Sequence, residues 1–307
     1  MFDQKKEALF YEKSDNEPRL WHRGENVHCF LCPRDCRIKN GSVGYCGVRQ
    51  NIDGKLYSLI YNIVSSIAND PIEKKPLYHF HPGTRVLSVG TYGCNMKCGH
   101  CQNWQIAHAD ISNEKLSYHK IAPEDLIKLA KKYNSSGIAW TYNEPTIWFE
   151  YAFEGAKLAK VNNLYTVWVT NGYTSIPPLE MIAPYLDAYR VDIKGFTDEA
   201  YIKLANVYDF THILKAAKKA KELGIHVECV TNVIPTINDD EKQLKDIAEW
   251  ITKELGSETP WHVTRFFPYF EFSYLEPTPL ETLKMAEKIG HDAGLKYVHL
   301  GNAPKNI

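Results

Sequence analysis

Nowhere in the 307 residues does an apolar run approach the roughly 18 residues that a membrane span needs, which argues against a helical membrane protein. Neither sign of charge is in excess. Lys and Arg number 36 against 37 Asp and Glu, a formal net charge of −1. No basic footprint therefore points to nucleic acid, and such a partner is not expected. The N-terminal stretch from Met1 to Ala8 lacks the apolar core of a secretory signal. Low-complexity segments and internal repeats are also missing. Cysteine is scarce outside two tight groups, with Cys229 the one of eight that stands apart. Clustered cysteines without a secretory signal read as metal ligands in a reducing cytoplasm, not as disulfides. What the chain does have is core-forming material: 44% hydrophobic and 12% aromatic residues, enough for one large barrel or two smaller domains.

The most specific feature is a loop that places Cys94, Cys98 and Cys101 at i, i+4 and i+7. This spacing can wrap one cubane iron–sulfur cluster and ligate three of its four irons. The fourth iron is then open, and an open metal position is where metal sites do chemistry. The segment Val86 to Thr91 ahead of the loop is apolar and β-branched, a buried strand, and Gly93 permits a sharp turn after it. The loop thus falls at the C-terminal end of a strand, where α/β barrels keep their active sites. The alternative is a three-cysteine zinc site completed by a distant ligand, but zinc loops more often pair cysteines in two separated knuckles.

A second group, Cys29, Cys32, Cys36 and Cys46, can close a tetrahedral site completely. Its spacing suits structural zinc or a second [4Fe–4S] cluster, with zinc preferred. Asn51 to Gly54 reads as a hairpin turn, so residues 1–65 form a small loop-and-hairpin unit and 69–85 a connection. The expected division is an N-terminal metal module over 1–84 and a barrel over 85–307.

From Arg85 onward, β-branched runs alternate with helical patterns of roughly ten residues or more. Strands are predicted over 85–91, 137–141, 164–170, 187–192, 225–231, 261–266 and 296–300, and helices over 123–133, 146–161, 178–185, 209–223, 240–255 and 279–293. Strict alternation implies a parallel sheet covered by helices. A partial (β/α)6 barrel, an α/β fold, fits best. Strand alternation sends Asp192 and Lys194 to one side, where the fourth strand enters its loop.

At the cysteine loop the chain resembles the radical S-adenosylmethionine (SAM) superfamily, whose hallmark is Cys-x3-Cys-x2-Cys after the first barrel strand. More narrowly, Cys29-x2-Cys32-Pro, Asp70 to Phe80, Thr91-x-Gly-Cys94 and Cys101-Gln-Asn-Trp104 resemble the AmmeMemoRadiSam-system radical SAM enzymes. So do Tyr142-Asn-Glu-Pro145, Trp261-His-x-x-Arg-Phe266 and Gly301-Asn302. These enzymes are related to pyruvate formate-lyase activating enzyme. The resemblance implies a [4Fe–4S] cluster on Cys94, Cys98 and Cys101. It also implies SAM chelated by the open iron, and reductive cleavage of SAM to a 5′-deoxyadenosyl radical. That radical would abstract hydrogen from a protein or small-molecule substrate. The resemblance further implies a flavodoxin- or ferredoxin-type electron donor.

Carried onto this sequence, His100 stands where the family has an aromatic near the adenine. Tyr142, Asn143 and Glu144 match the element that holds the SAM ammonium, with both family glycines replaced; the other reading of Glu144 is a helix N-terminal acid favoured by the dipole, and the two are compatible. Thr170 and Asn171 are candidates for the ribose or carboxylate, against an ordinary Asn-Gly turn. Asp192 and Lys194 line the SAM and substrate pocket, against a surface ion pair. His262 contacts substrate or donates a proton, against a structural barrel histidine. The competing reading of the whole chain is an iron–sulfur or zinc scaffold, or an electron-transfer module, without turnover.

Overall fold

The computed structural model describes residues 5–13, 26–113 and 115–304. Its early part carries two small antiparallel sheets. One joins Lys6–Glu7, Lys55–Ser58 and Arg49–Ile52; the other joins Tyr11–Lys13, Val27–Cys29 and Cys36–Ile38. The predicted hairpin is there: Asp53 and Gly54 take φ of 52° and 75°, the left-handed pair of a two-residue turn between Arg49–Ile52 and Lys55–Ser58.

The main sheet has eight strands in sequence order: β1 (Ser66–Pro71), β2 (Arg85–Gly90), β3 (Gly137–Trp140), β4 (Tyr165–Thr170), β5 (Ala188–Asp192), β6 (His226–Val233), β7 (Trp261–Arg265) and β8 (Val298–Gly301). β2 to β8 are parallel, and β1 pairs antiparallel with β2 along all six of its residues. Asn69 to Pro71, expected to be connection, are therefore an edge strand. Proline ends this strand where no further ladder bond is needed.

Helices return the chain between parallel strands: α1 (Pro123–Lys132), α2 (Phe149–Val161), α3 (Ile176–Ile182), α4 (Asp198–Ala205), α5 (Thr211–Glu222), α6 (Glu241–Trp250) and α7 (Leu280–Asp292). Each lays a small-residue or aliphatic stripe on the outer face, such as Ile213, Ala216, Ala217 and Ala220 of α5. α4 was not anticipated. It is capped by Thr197, whose Oγ1 accepts from the Ala200 amide, and Asp198 and Glu199 follow in its first turn. The architecture is the partial (β/α)6 barrel expected. No helix among the described residues is long and apolar enough to cross a membrane.

The barrel has a floor. Ile72, Leu77 and Phe80, from the chain between β1 and β2, pack on Val86, Ala139, Val167 and Ala188 at the N-terminal ends of the strands. Buried Glu228 of β6 fixes this segment. Its carboxylate accepts from the amides of Tyr78 (3.1 Å) and His79 (2.9 Å) and bonds His226 (2.9 Å) and His262 (2.6 Å).

Candidate active site

The cysteine loop leaves β2 through Gly93, whose φ of 88° is open to glycine at little cost. Asn143 holds the exit: its Oδ1 accepts from the Thr91 amide (3.1 Å) and its Nδ2 donates to the Gly93 carbonyl (2.8 Å). Asn171, after β4, donates through Nδ2 to Cys94 Sγ (3.6 Å) and to Asn95 Oδ1 (2.9 Å). Cys94 is buried, and Cys98 and Cys101 are partly buried. Burial raises all three, reinforced at Cys94 and Cys98 by the neighbouring thiols, with Cys98 pushed up to about 12. Three such thiols do not ionise side by side in isolation; a cationic metal centre would let them do so.

Asp192 and Lys194 face this loop from the end of β5. Asp192 Oδ2 accepts from Lys194 Nζ at 2.8 Å, and Oδ1 pairs with Arg190. Burial opposes the Asp192 charge, but the two cations outweigh it and hold the carboxyl down at about 2. Asp192 in turn raises Lys194, against its burial. Both charges are felt at Cys98, His100 and Cys101. The pair therefore lies within electrostatic reach of the cysteine loop.

His100 is only 8% exposed, and its Nδ1 has no partner. Burial, then the Lys194 charge, push its pKa down to about 3, so the ring is neutral. Thr91 Oγ1, at the end of β2, is likewise buried and unpartnered. Two orphaned polar atoms beside the cysteine loop fit a polar ligand such as SAM. The chain after β7 covers the loop: the Phe272 amide donates to the Gly99 carbonyl (3.2 Å), and a Cβ on Gly99 would meet Phe272 Cε1 at 2.6 Å. The Phe272 ring lies 6.1 Å from that of His100.

Several expected ligand residues turn out to be structural. Glu144 is fully buried and spends both oxygens internally: Oε1 accepts from the Thr146 amide (2.9 Å) and Thr170 Oγ1 (2.8 Å), and Oε2 from the Asn171 amide (2.8 Å). Burial raises this carboxyl although every one of those donors lowers it. Glu144 and Thr170 thus fasten the ends of β3 and β4 to each other, with three of the carboxylate's acceptor positions used inside the protein. Tyr142 turns back, with φ of 73°, and its hydroxyl donates to Asp70 Oδ2 (3.0 Å). His262 is not brought to the cysteine loop. It is 1% exposed and bonded to Glu228, the structural barrel histidine rather than the substrate contact.

Sequence reasoning missed Glu228, whose signal was an acid placed two residues after His226 on the same strand face. It also missed Arg34. That side chain donates from Nε to the Asn95 carbonyl (2.8 Å) and lies 3.9 Å over the Tyr45 ring. Cys29 and Cys36 sit opposite each other on paired strands, and Cys32 lies in the turn between them. Among the described residues, no three His, Cys, Asp or Glu side chains are arranged to hold a single metal ion.

The family model of the radical SAM superfamily matches residues 88–251. An uncharacterized protein of Methanocaldococcus jannaschii is 41% identical over 299 residues, covering 97% of this chain and 86% of its own length. Pyruvate formate-lyase-activating enzyme of Staphylococcus epidermidis is 25% identical over 177 residues, 55% of this chain and 70% of that protein. Among solved structures, a radical SAM methyltransferase from Sphaerobacter thermophilus superimposes with a TM-score of 0.55 at 14% identity, over 73% of this chain and 68% of its own. That last likeness is one of fold.

Proposed function

This chain belongs to the radical SAM superfamily, and from that premise we propose that it is an enzyme holding a [4Fe–4S] cluster on Cys94, Cys98 and Cys101. It would cleave SAM reductively and abstract hydrogen from a protein or small-molecule substrate, in the manner of the activating enzymes it resembles. The observation that carries this reading is the convergence of three thiols, one buried and two partly buried, with the Asp192–Lys194 pair at the C-terminal ends of β2 and β5. A scaffold without turnover has no use for a charged pair and two orphaned polar atoms around its metal loop.

Held by Cys94, Cys98 and Cys101, such a cluster would supply the electron for reductive cleavage of SAM at its sulfonium. The protein's own part is placement and shielding. Asn143 and Asn171 fix the loop at Gly93 and Cys94. Lys194, kept protonated by Asp192, offers an ammonium to a carboxylate. Neutral His100 offers Nδ1 and an aromatic face to the adenine. Phe272 keeps water from Gly99 and His100. The electron would come from a flavodoxin- or ferredoxin-type protein.

Anaerobic protein given dithionite and SAM should release 5′-deoxyadenosine. The C94A/C98A/C101A variant should release none. Turnover in that variant would overturn the assignment.

A further inference from the structure

The four-cysteine site offers a choice between zinc and iron that its spacing leaves open, and the surroundings of the thiols decide it. Cys29, Cys32, Cys36 and Cys46, with Arg34 and Arg49, line a cavity of about 20 Å³. That is room for a water molecule, so the lining atoms stand about 3 Å or more from its centre. Zinc would have to draw the sulfurs in to about 2.3 Å. Such a closure is not what the thiols show, since no three of them are arranged for one ion. A cubane of iron and sulfide, with its cysteines on the outside, suits a wider cage.

Two arginines make a second, independent observation. Arg49 is only 2% exposed, and its Nε has no partner, although its other nitrogens bind Glu150 and the Leu9 carbonyl. Arg34 Nη2 is buried and unpartnered as well. Two orphaned cationic donors beside four thiols call for an anionic group bearing acceptor sulfurs. A tetrathiolate metal centre is such a group whether it holds zinc or a cluster, so the arginines mark the site as occupied and the width of the cage decides for the cluster.

This site shares a wall with the Cys94 loop. A Cβ on Gly93 would meet the Cys46 carbonyl oxygen at 2.7 Å. Asn95, next to Cys94, also lines the cavity, and its carbonyl accepts the Arg34 Nε bond. One peptide thus touches both cysteine groups.

We infer that Cys29, Cys32, Cys36 and Cys46 hold a second [4Fe–4S] cluster, stabilised by Arg34 and Arg49 and placed to exchange electrons with the site at Cys94, Cys98 and Cys101. A low-potential protein donor reduces this cluster by one electron, and passing that electron to its neighbour reoxidises it. No bond or proton changes hands. The inference goes beyond the proposed reaction, because the second cluster is detectable where SAM cannot be cleaved.

The test is therefore made in the C94A/C98A/C101A variant, purified anaerobically without added metal. Iron and sulfide should each reach about four per chain, against about eight in the unsubstituted protein, with zinc far below one. Dithionite should bring up the electron paramagnetic resonance signal of a reduced cubane. Zinc near one per chain with little iron, or neither metal in a protein folded by circular dichroism, overturns the inference. Replacing a module cysteine would test folding as much as metal, so Arg34→Gln in the same background is the second probe. Loss of the adjacent cation should lower the cluster's midpoint potential. A potential that does not move overturns the role given to Arg34.

Discussion

Glu144 shows how a residue's chemistry can be legible while its use is not. A carboxylate just after a barrel strand is a natural acceptor for an ammonium group, and the matching family element strengthens that expectation. The structure instead closes three hydrogen bonds on it from Thr146, Thr170 and Asn171, inside a site with no exposure. Those partners lie 2, 26 and 27 residues along the chain. The last two depend on β3 lying beside β4, which no local pattern encodes. Glu144→Gln should therefore act on stability. The amide keeps one acceptor but turns a donor toward a donor, leaving a buried group unsatisfied at a cost of about 1–3 kcal/mol. Urea denaturation should show that loss. A fall in SAM affinity by calorimetry with no change in stability would restore Glu144 to the ligand site. The positions of His100 and the Asp192–Lys194 pair beside the cysteine loop, as distinct from their use, were readable for the opposite reason. Their placement follows from strand alternation and loop position alone.

Elements were largely readable where one face was plainly apolar. Strands β2 to β8 and helices α1, α2, α5, α6 and α7 lie close to their predicted spans, because burial on a parallel sheet writes itself into the sequence. β1 and α4 escaped for physical reasons. Ser66–Pro71 is a half-exposed edge strand made by pairing with β2, not by its own propensity. The eight residues of α4 are short, and its signal lay in the cap at Thr197. The segment between β1 and β2 is held by Glu228, which gives it a pH signature. Burial raises that carboxyl, but His226, His262 and the Tyr78 and His79 amides outweigh it and bring it from the ordinary 4.5 to about 2. A depressed acid contributes stability above its unfolded value and loses it as pH falls toward the folded value. His262, which burial holds below its usual value, and Arg190 face the same carboxylate, and protonation of His262 also disfavours the fold as pH drops. Wild-type stability should thus decline between pH 4.5 and about 2 more steeply than that of Glu228→Gln. Parallel profiles by acid titration of the unfolding free energy would remove Glu228 from this role.

At the scale of the molecule, the early chain and the barrel are joined by a buried ion pair. Arg49 Nη2 meets Glu150 Oε1 at 3.0 Å, with side chains 2% and 3% exposed, and Leu9 closes the network through both its amide and its carbonyl. Neither partner announces itself in sequence: an arginine in a hairpin strand and a glutamate in the first turn of α2 look like solvated surface. Removing one partner strands the other charge in the interior, which costs about 3–5 kcal/mol. Glu150→Ala should therefore lower the unfolding free energy by that order in urea and disturb the cluster proposed at Cys29 and Cys46, which line one cavity with Arg49. A variant as stable as the parent would mean that the two parts are joined by other contacts. The floor laid by Ile72, Leu77 and Phe80 has its own consequence for traffic. A vessel closed at its base is not threaded along its axis. A long chain reacting above Cys94 would have to be presented from the loop side, as a tip or a bend. The spent product must clear the opening before the next guest is admitted.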